Sequence, residues 1–122
     1  VIFLTKLLRD KGHRPAVLSR GYGGERPAGS TPDTVLLVSD GVKIHLGPRW
    51  AGDEPYWLAW KLPGVPVLCH PDRHRAGRWA EHNLAADVFV LPSLQDNLPN
   101  TVMEALAWYR VLISESCCWV RW

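Results

Sequence analysis

The chain has 122 residues, 47% of them apolar and 21% charged, and a formal net charge of +2. That profile fits one globular domain or a piece of one, with enough apolar material for a modest core. It lacks a lysine/arginine block of the kind a dedicated nucleic-acid binder carries, and no run of eighteen apolar residues is long enough to span a bilayer.

Residues Val1 to Lys11 read as an amphipathic helix, with Ile2, Phe3, Leu4, Leu7 and Leu8 on one side and Lys6, Arg9 and Asp10 on the other. Gly12 supplies its stop. The early charges Lys6, Arg9, Asp10 and Lys11 also argue against a secretory leader. Pro15-Ala16-Val17-Leu18 is a short strand that empties into Ser19-Arg20-Gly21-Tyr22-Gly23-Gly24. Three glycines in four residues let the backbone approach a ligand closely, and Arg20 adds a planar cation suited to phosphate or carboxylate. Such a loop at the carboxyl end of a strand is where open α/β sheets bind ligands. The plain alternative is a flexible surface loop with a solvated arginine.

Pro27 to Asp33 is punctuated by Pro27, Gly29 and Pro32 and reads as loop. Val35–Ser39 and Val42–Ile44 are strand-like, with Asp40-Gly41 as a hairpin turn between them. Ala51-Gly52-Asp53-Glu54-Pro55 opens a helix running to about Leu62, with two acids and a proline suited to its first turn. A strand at Val65–Leu68, a helix from Asp72 to His82 and a buried strand at Ala86–Leu91 follow. This strand–helix–strand rhythm predicts a parallel sheet with helices on its faces. Cys69, Cys117 and Cys118 give no disulfide framework and no Cys-x-x-Cys pair, so reduced, cytoplasmic thiols are the default. His70 and His74, spaced i, i+4, could face one ligand. With no third ligand at suitable spacing, surface histidines are the better reading and no metal site is expected.

The order and spacing of several segments carry a resemblance. They are Lys11–Gly24 (KGHRPAVLSRGYGG), Val38-Ser39-Asp40-Gly41, Ala51–Pro55 (AGDEP), Leu62–Leu68 (LPGVPVL), Asp72-Arg73 and Ala86-Asp87-Val88. Over residues 1–91 the chain resembles tetraacyldisaccharide 4'-kinase, the lipid A kinase of Gram-negative bacteria. The resemblance implies a P-loop α/β fold working at the inner face of the cytoplasmic membrane, Mg-ATP as donor and the 4'-hydroxyl of a lipid-linked disaccharide as acceptor. It places Asp53 on a carboxylate that takes the hydroxyl proton, and Arg73 on an arginine near the reacting phosphates. Ser19, Arg20, Gly21, Tyr22 and Gly23 fall in a family loop beside the active site. The plainer readings are a helix N-terminal carboxylate for Asp53 and a solvated helix arginine for Arg73.

Two departures accompany the match. No Gly-x-x-x-x-Gly-Lys-Thr occurs in the 122 residues, so the cradle for the ATP phosphates is expected to be missing. The fold expected is therefore a partial P-loop-kinase-like parallel sheet without the P-loop strand, leaving an open sheet edge beside Val17. After Leu91 the family's Asp-Asp-Gly-Phe-Gln-His type motif is replaced by Pro92-Ser93-Leu94-Gln95-Asp96-Asn97.

Residues 86–107 look instead like the nucleotide-sugar site of GT-B-type glycosyltransferases, with Asp96 and Glu104 flanking an asparagine-containing turn (Asn97, Asn100) and a helix start. Residues 108–122 show no periodicity, and the chain holds seven tryptophans. Three units are expected: a kinase-like part (1–91), a glycosyltransferase-like loop and helix (92–107) and an irregular tail of out-of-frame character (108–122). A non-catalytic small α/β chain is the third reading of function. Peripheral membrane contact through Val1–Lys11 fits its basic and apolar faces, although core packing fits that helix better.

Overall fold

A computed structural model describes residues 1–21, 23–92, 111–114 and 117–119. Its helices are α1 (Ile2–Asp10), α2 (Pro48–Ala51), α3 (Asp53–Lys61) and α4 (Arg73–Leu84). Its strands are β1 (Pro15–Ser19), β2 (Leu36–Ser39), β3 (Val67–Cys69), β4 (Val88–Leu91), β5 (Val111–Ser114) and β6 (Cys117–Trp119). They form one sheet in the order β2-β3-β1-β4-β5-β6. The α/β class with flanking helices is as the sequence predicts.

The centre of the sheet is parallel. β1 pairs with β3 on one side, Val17 opposite Val67, and with β4 on the other, Val17 opposite Val90. The open edge expected beside Val17 is therefore absent: β1 is an interior strand and its five residues are all buried. The margins are antiparallel, β2 against β3 and β6 against β5. β2 runs that way because no crossover helix lies between it and β1, only the glycine loop and residues 25–35. Within the stretch expected to be irregular, β5 lies parallel to β4. Runs of three or four residues are too short to show a period in sequence.

Each face of the sheet has its own core. On one side Ala16, Leu18, Leu68, Phe89 and Leu91 pack against Ala76 and Ala80 of α4. The buried stripe of α4 is Arg73 followed by Ala76, Gly77 and Ala80, three small residues at helical spacing that let the helix lie close to the sheet. On the other side Val17, Val38, Val67 and Val90 meet Leu58 and Ala59 of α3 and Leu62 just after it, with Ile2 and Leu8 of α1 packed alongside.

The inward face of α1 is not the one the apolar pattern suggests. Phe3 is 80% exposed and Leu7 39%, whereas Thr5 is fully buried with its hydroxyl donating to Val1 O at 2.6 Å. Local hydrogen bonding lets a threonine enter a core that a larger side chain would overfill. Gly12 ends the helix as predicted: at φ +90°, its N–H donates to Arg9 O, and His13 N–H reaches Leu8 O. The Asp40-Gly41 turn also forms, but the second strand of that hairpin shrinks to a single bridge between Ser39 and Ile44.

Candidate functional site

Because β1, β3 and β4 are parallel, Ser19, Cys69 and Leu91 end at one edge of the sheet, and the loops leaving that edge build the site. Ser19 is buried, and its Oγ accepts the Gly21 N–H at 3.2 Å, turning the chain out of β1. Gly21 takes φ +72°, and a Cβ there would stand 3.1 Å from Cys69 Cβ. Gly24 is more confined: a Cβ would lie 2.3 Å from Trp50 O and 3.0 Å from Gly52 N. Glu25 N–H then donates to Arg49 O at 2.8 Å, and the Glu25 carboxylate pairs with Arg49 Nε at 3.0 Å. Arg49 also lies over the Trp50 ring, 4.7 Å from its centroid.

The glycine loop is thus pressed onto the junction between α2 and α3. That junction is a break the sequence did not suggest. Gly52, at φ 88° and ψ 161°, separates a one-turn helix from the helix that Asp53 and Glu54 begin. Asp53 is exposed, one residue beyond the point where Gly24 touches the backbone, and no side chain caps the helix.

Arg73 opens α4, four residues after β3 reaches the same edge at Cys69, and it is only 7% exposed. The solvated arginine of the plainer reading is therefore ruled out. Asp72 is the N-cap of this helix, its carboxylate accepting Arg75 N–H at 3.2 Å. Tyr22 lies outside the described residues, as do Asp96, Asn97 and Glu104, so their expected roles have no structural counterpart here.

A cavity of about 330 Å³ opens at this edge. Its walls include Arg20, Gly21, Gly23 and Gly24 from the loop, Trp50, and Cys69 and His70 at the end of β3. Asp53 and Arg73 flank the region in sequence without lining the cavity. Burial pushes the Cys69 thiol up to about 12, so it stays protonated and packs as a small apolar group. Among the described residues, no three carboxylate, histidine or cysteine side chains stand together to hold a metal ion. Gly21 and Gly24 of the loop lie against Cys69, Ala51 and Trp50. Of the cavity's described walls only Glu25 carries a carboxylate, and it is paired with Arg49, so this lining offers no free Mg²⁺ ligand.

His70 departs from the surface position expected of it. It is 4% exposed and both ring nitrogens are engaged. Nε2 lies 3.1 Å from Pro32 O, and Asp72 N–H donates to Nδ1 at 2.9 Å. The main-chain N–H of His70 donates to Ser19 O at 2.9 Å. The sequence put His70 on the surface because its partners are main-chain atoms, which leave no mark in side-chain spacing.

These features define an open-sheet α/β protein whose ligand-facing loops gather at the carboxyl edge. Comparison with known proteins narrows the class. The chain belongs to the LpxK family, tetraacyldisaccharide-1-P 4'-kinase, whose family model matches residues 1–96. The match runs five residues past the boundary expected at 91, into the segment that looked like a glycosyltransferase. The chain is 50% identical over 91 residues to the tetraacyldisaccharide 4'-kinase of Syntrophus aciditrophicus, covering 75% of this chain and 23% of that protein. It is 42% identical to the Geobacter metallireducens enzyme of the same name, over 75% of this chain and 25% of that one. The crystal structure of LpxK from Aquifex aeolicus in complex with ATP aligns at a TM-score of 0.56 and 30% identity. That alignment covers 75% of this chain and 32% of the other. The chain therefore spans about a quarter of the length of the enzymes it matches. No helix among the described residues is long and apolar enough to cross a membrane.

Proposed function

We propose that residues 1–91 carry the acceptor side of a tetraacyldisaccharide 4'-kinase, the reaction that moves the γ-phosphate of ATP to the 4'-hydroxyl of tetraacyldisaccharide 1-phosphate. The observation that carries this reading is the seating of Gly24 on the Trp50–Gly52 backbone, which draws the loop with Ser19 and Arg20 up to the helix start at Asp53. In this reading Asp53 is the base that takes the hydroxyl proton, and its exposure leaves it open to an incoming sugar. Arg73 supplies a cation near the transferring phosphoryl group. Ser19, Arg20, Gly21, Tyr22 and Gly23 contact the acceptor. The protein works in the cytoplasm at the inner face of the inner membrane, and Phe3 and Leu7, exposed beside Lys6 on α1, suit peripheral contact with the bilayer that holds a four-chain lipid.

The test is titration of the purified chain with tetraacyldisaccharide 1-phosphate in detergent micelles, followed by Trp fluorescence, with Mg-ATP titrated separately. The expected outcome is saturable acceptor binding that Arg20→Ala weakens tenfold or more, without ATP turnover by these 122 residues, which contain no Gly-x-x-x-x-Gly-Lys-Thr loop. Failure to bind the acceptor, or ATP consumption in its presence, would overturn the proposal. UDP-sugar binding abolished by Glu104→Ala would favour the nucleotide-sugar reading, which rests on the spacing of Asp96, Asn97 and Glu104 in the sequence.

A further inference from the structure

The residues that follow the glycine loop form a strap, and several of the bonds that hold it come from side chains reaching carbonyls. The Arg26 guanidinium donates to Thr31 O (2.7 Å), Pro32 O (3.1 Å) and Thr34 O (3.2 Å), gathering residues 26–34 into a closed turn. Arg26 itself lines the cavity, so the position of the strap sets one wall of it. Two contacts tie the strap to the rest of the fold at the start of α4. One is the ion pair of Arg75 with Asp33 at 3.2 Å, between exposed side chains and therefore weak. The other is His70, which is buried.

The protonation of the His70 ring decides which of its neighbours it can serve. Nδ1 lies 2.9 Å from both the N–H and the carbonyl oxygen of Asp72, and Nε2 faces Pro32 O. If the proton sat on Nδ1 alone, Nε2 would present a lone pair to the Pro32 oxygen. If both nitrogens were protonated, the Asp72 N–H would meet another donor. The neutral ring with its proton on Nε2 donates to Pro32 O and accepts from Asp72 N–H, serving both segments at the cost of a lone pair 2.9 Å from the Asp72 carbonyl oxygen.

We propose that His70, held as this tautomer, is a positioning residue that locks the strap and the start of α4 to the end of β3. Its main-chain N–H holds the Ser19 end of the acceptor loop, its Nδ1 holds the turn entering the helix that carries Arg73, and its Nε2 holds the strap. One buried residue therefore joins the two groups assigned above to acceptor and phosphate, reaching Ser19 through its main chain and Asp72 and Pro32 through its ring. The functional consequence rests on that assignment, whereas the lock itself does not.

Two substitutions separate the halves of the lock. The amide oxygen of His70→Asn stands near Nδ1 and can still accept from Asp72, but its side chain is too short to reach Pro32. His70→Gln places a donor near Nε2 and gives up the acceptor at Nδ1. Amide hydrogen exchange and nitrogen-15 NMR of the imidazole are read on the full chain. The wild-type ring is expected to show the Nε2–H pattern. His70→Asn should speed exchange of the strap amides Ser30 and Thr34 about two- to tenfold while sparing Asp72 and Arg75. His70→Gln should do the reverse, and both should weaken binding of tetraacyldisaccharide 1-phosphate in micelles. An Nδ1–H ring, or two variants that loosen the same amides equally, would overturn the proposal. If the exchange patterns separate as described but the wild-type chain ignores the lipid, the lock stands and the kinase assignment falls.

Discussion

The glycine loop and the strap are consecutive in the chain and share one cavity, yet they are held by opposite means. At Gly21 and Gly24 the loop is fixed by what it lacks: neither has a side chain, so the backbone settles onto Cys69, Ala51 and Trp50. Residues 26–34 are fixed by hydrogen bonds, three from Arg26 and one from His70 among them. Packing of this kind fails abruptly when an atom is added. A loop held by several hydrogen bonds loosens in steps as each is removed.

The sharpest way to break the contrast is Gly24→Ala. Its methyl would fall 2.3 Å from Trp50 O, with backbone rather than a flexible side chain in the way. Destabilisation of about 3 kcal/mol is expected, near the upper end for overpacking, together with loss of acceptor binding; denaturant unfolding and the micelle titration measure both. Removing the strap's clamp with Arg26→Met should cost less, about 1.5 kcal/mol, because its three acceptors can turn to water. Its fingerprint is faster exchange at the strap without change at Gly21 or Gly24. Gly23→Ala is the control within the loop. Nothing lies within 4 Å of the added methyl, so only the φ of +80° is penalised, by about 1 kcal/mol in the same unfolding experiment.

The opposite edge of the sheet gives the smallest effect. There Asp40 accepts from Val42 N–H (2.8 Å) and Lys43 N–H (2.7 Å) and meets His45 Nε2 at 2.9 Å. These bonds, that from Lys43 foremost, lower its carboxyl from 3.8 to about 2. A carboxyl depressed in the folded state lends stability that is fully present above its ordinary value and is lost as pH falls through the depressed one. The turn should therefore persist at pH 4. The amide shifts of Val42 and Lys43 should titrate with a midpoint near 2, and a midpoint near 4 would show that the bonds do not form in solution.

What was legible in the sequence follows the same division. Gly12, the Asp40-Gly41 turn and the strands at 15–19, 36–39, 67–69 and 88–91 were foreseen because they rest on local chemistry: a helix stop, a two-residue turn, short apolar runs. The glycine loop and the acids that open α3 were singled out for the same reason. Long-range choices were hidden. Nothing in the composition of Phe3 and Thr5 says that the phenyl faces out and the hydroxyl in, since that depends on the space between α1 and the sheet. The break at Gly52 needs Gly24 lying across it, and Gly24 is 28 residues earlier in the chain. The antiparallel margin at β2 and the enclosure of β1 between β3 and β4 are matters of strand order, which residue patterns constrain weakly.

The small stripe of α4 has a reach beyond packing. Ala76, Gly77 and Ala80 decide how deeply the helix sinks, and Arg73 rides on its first turn. The guanidinium thus has its depth dictated from a turn away, by three residues that carry no charge. A valine at Ala76 would act like a shim under a lever, raising the cation toward water while leaving every polar group of the site chemically intact.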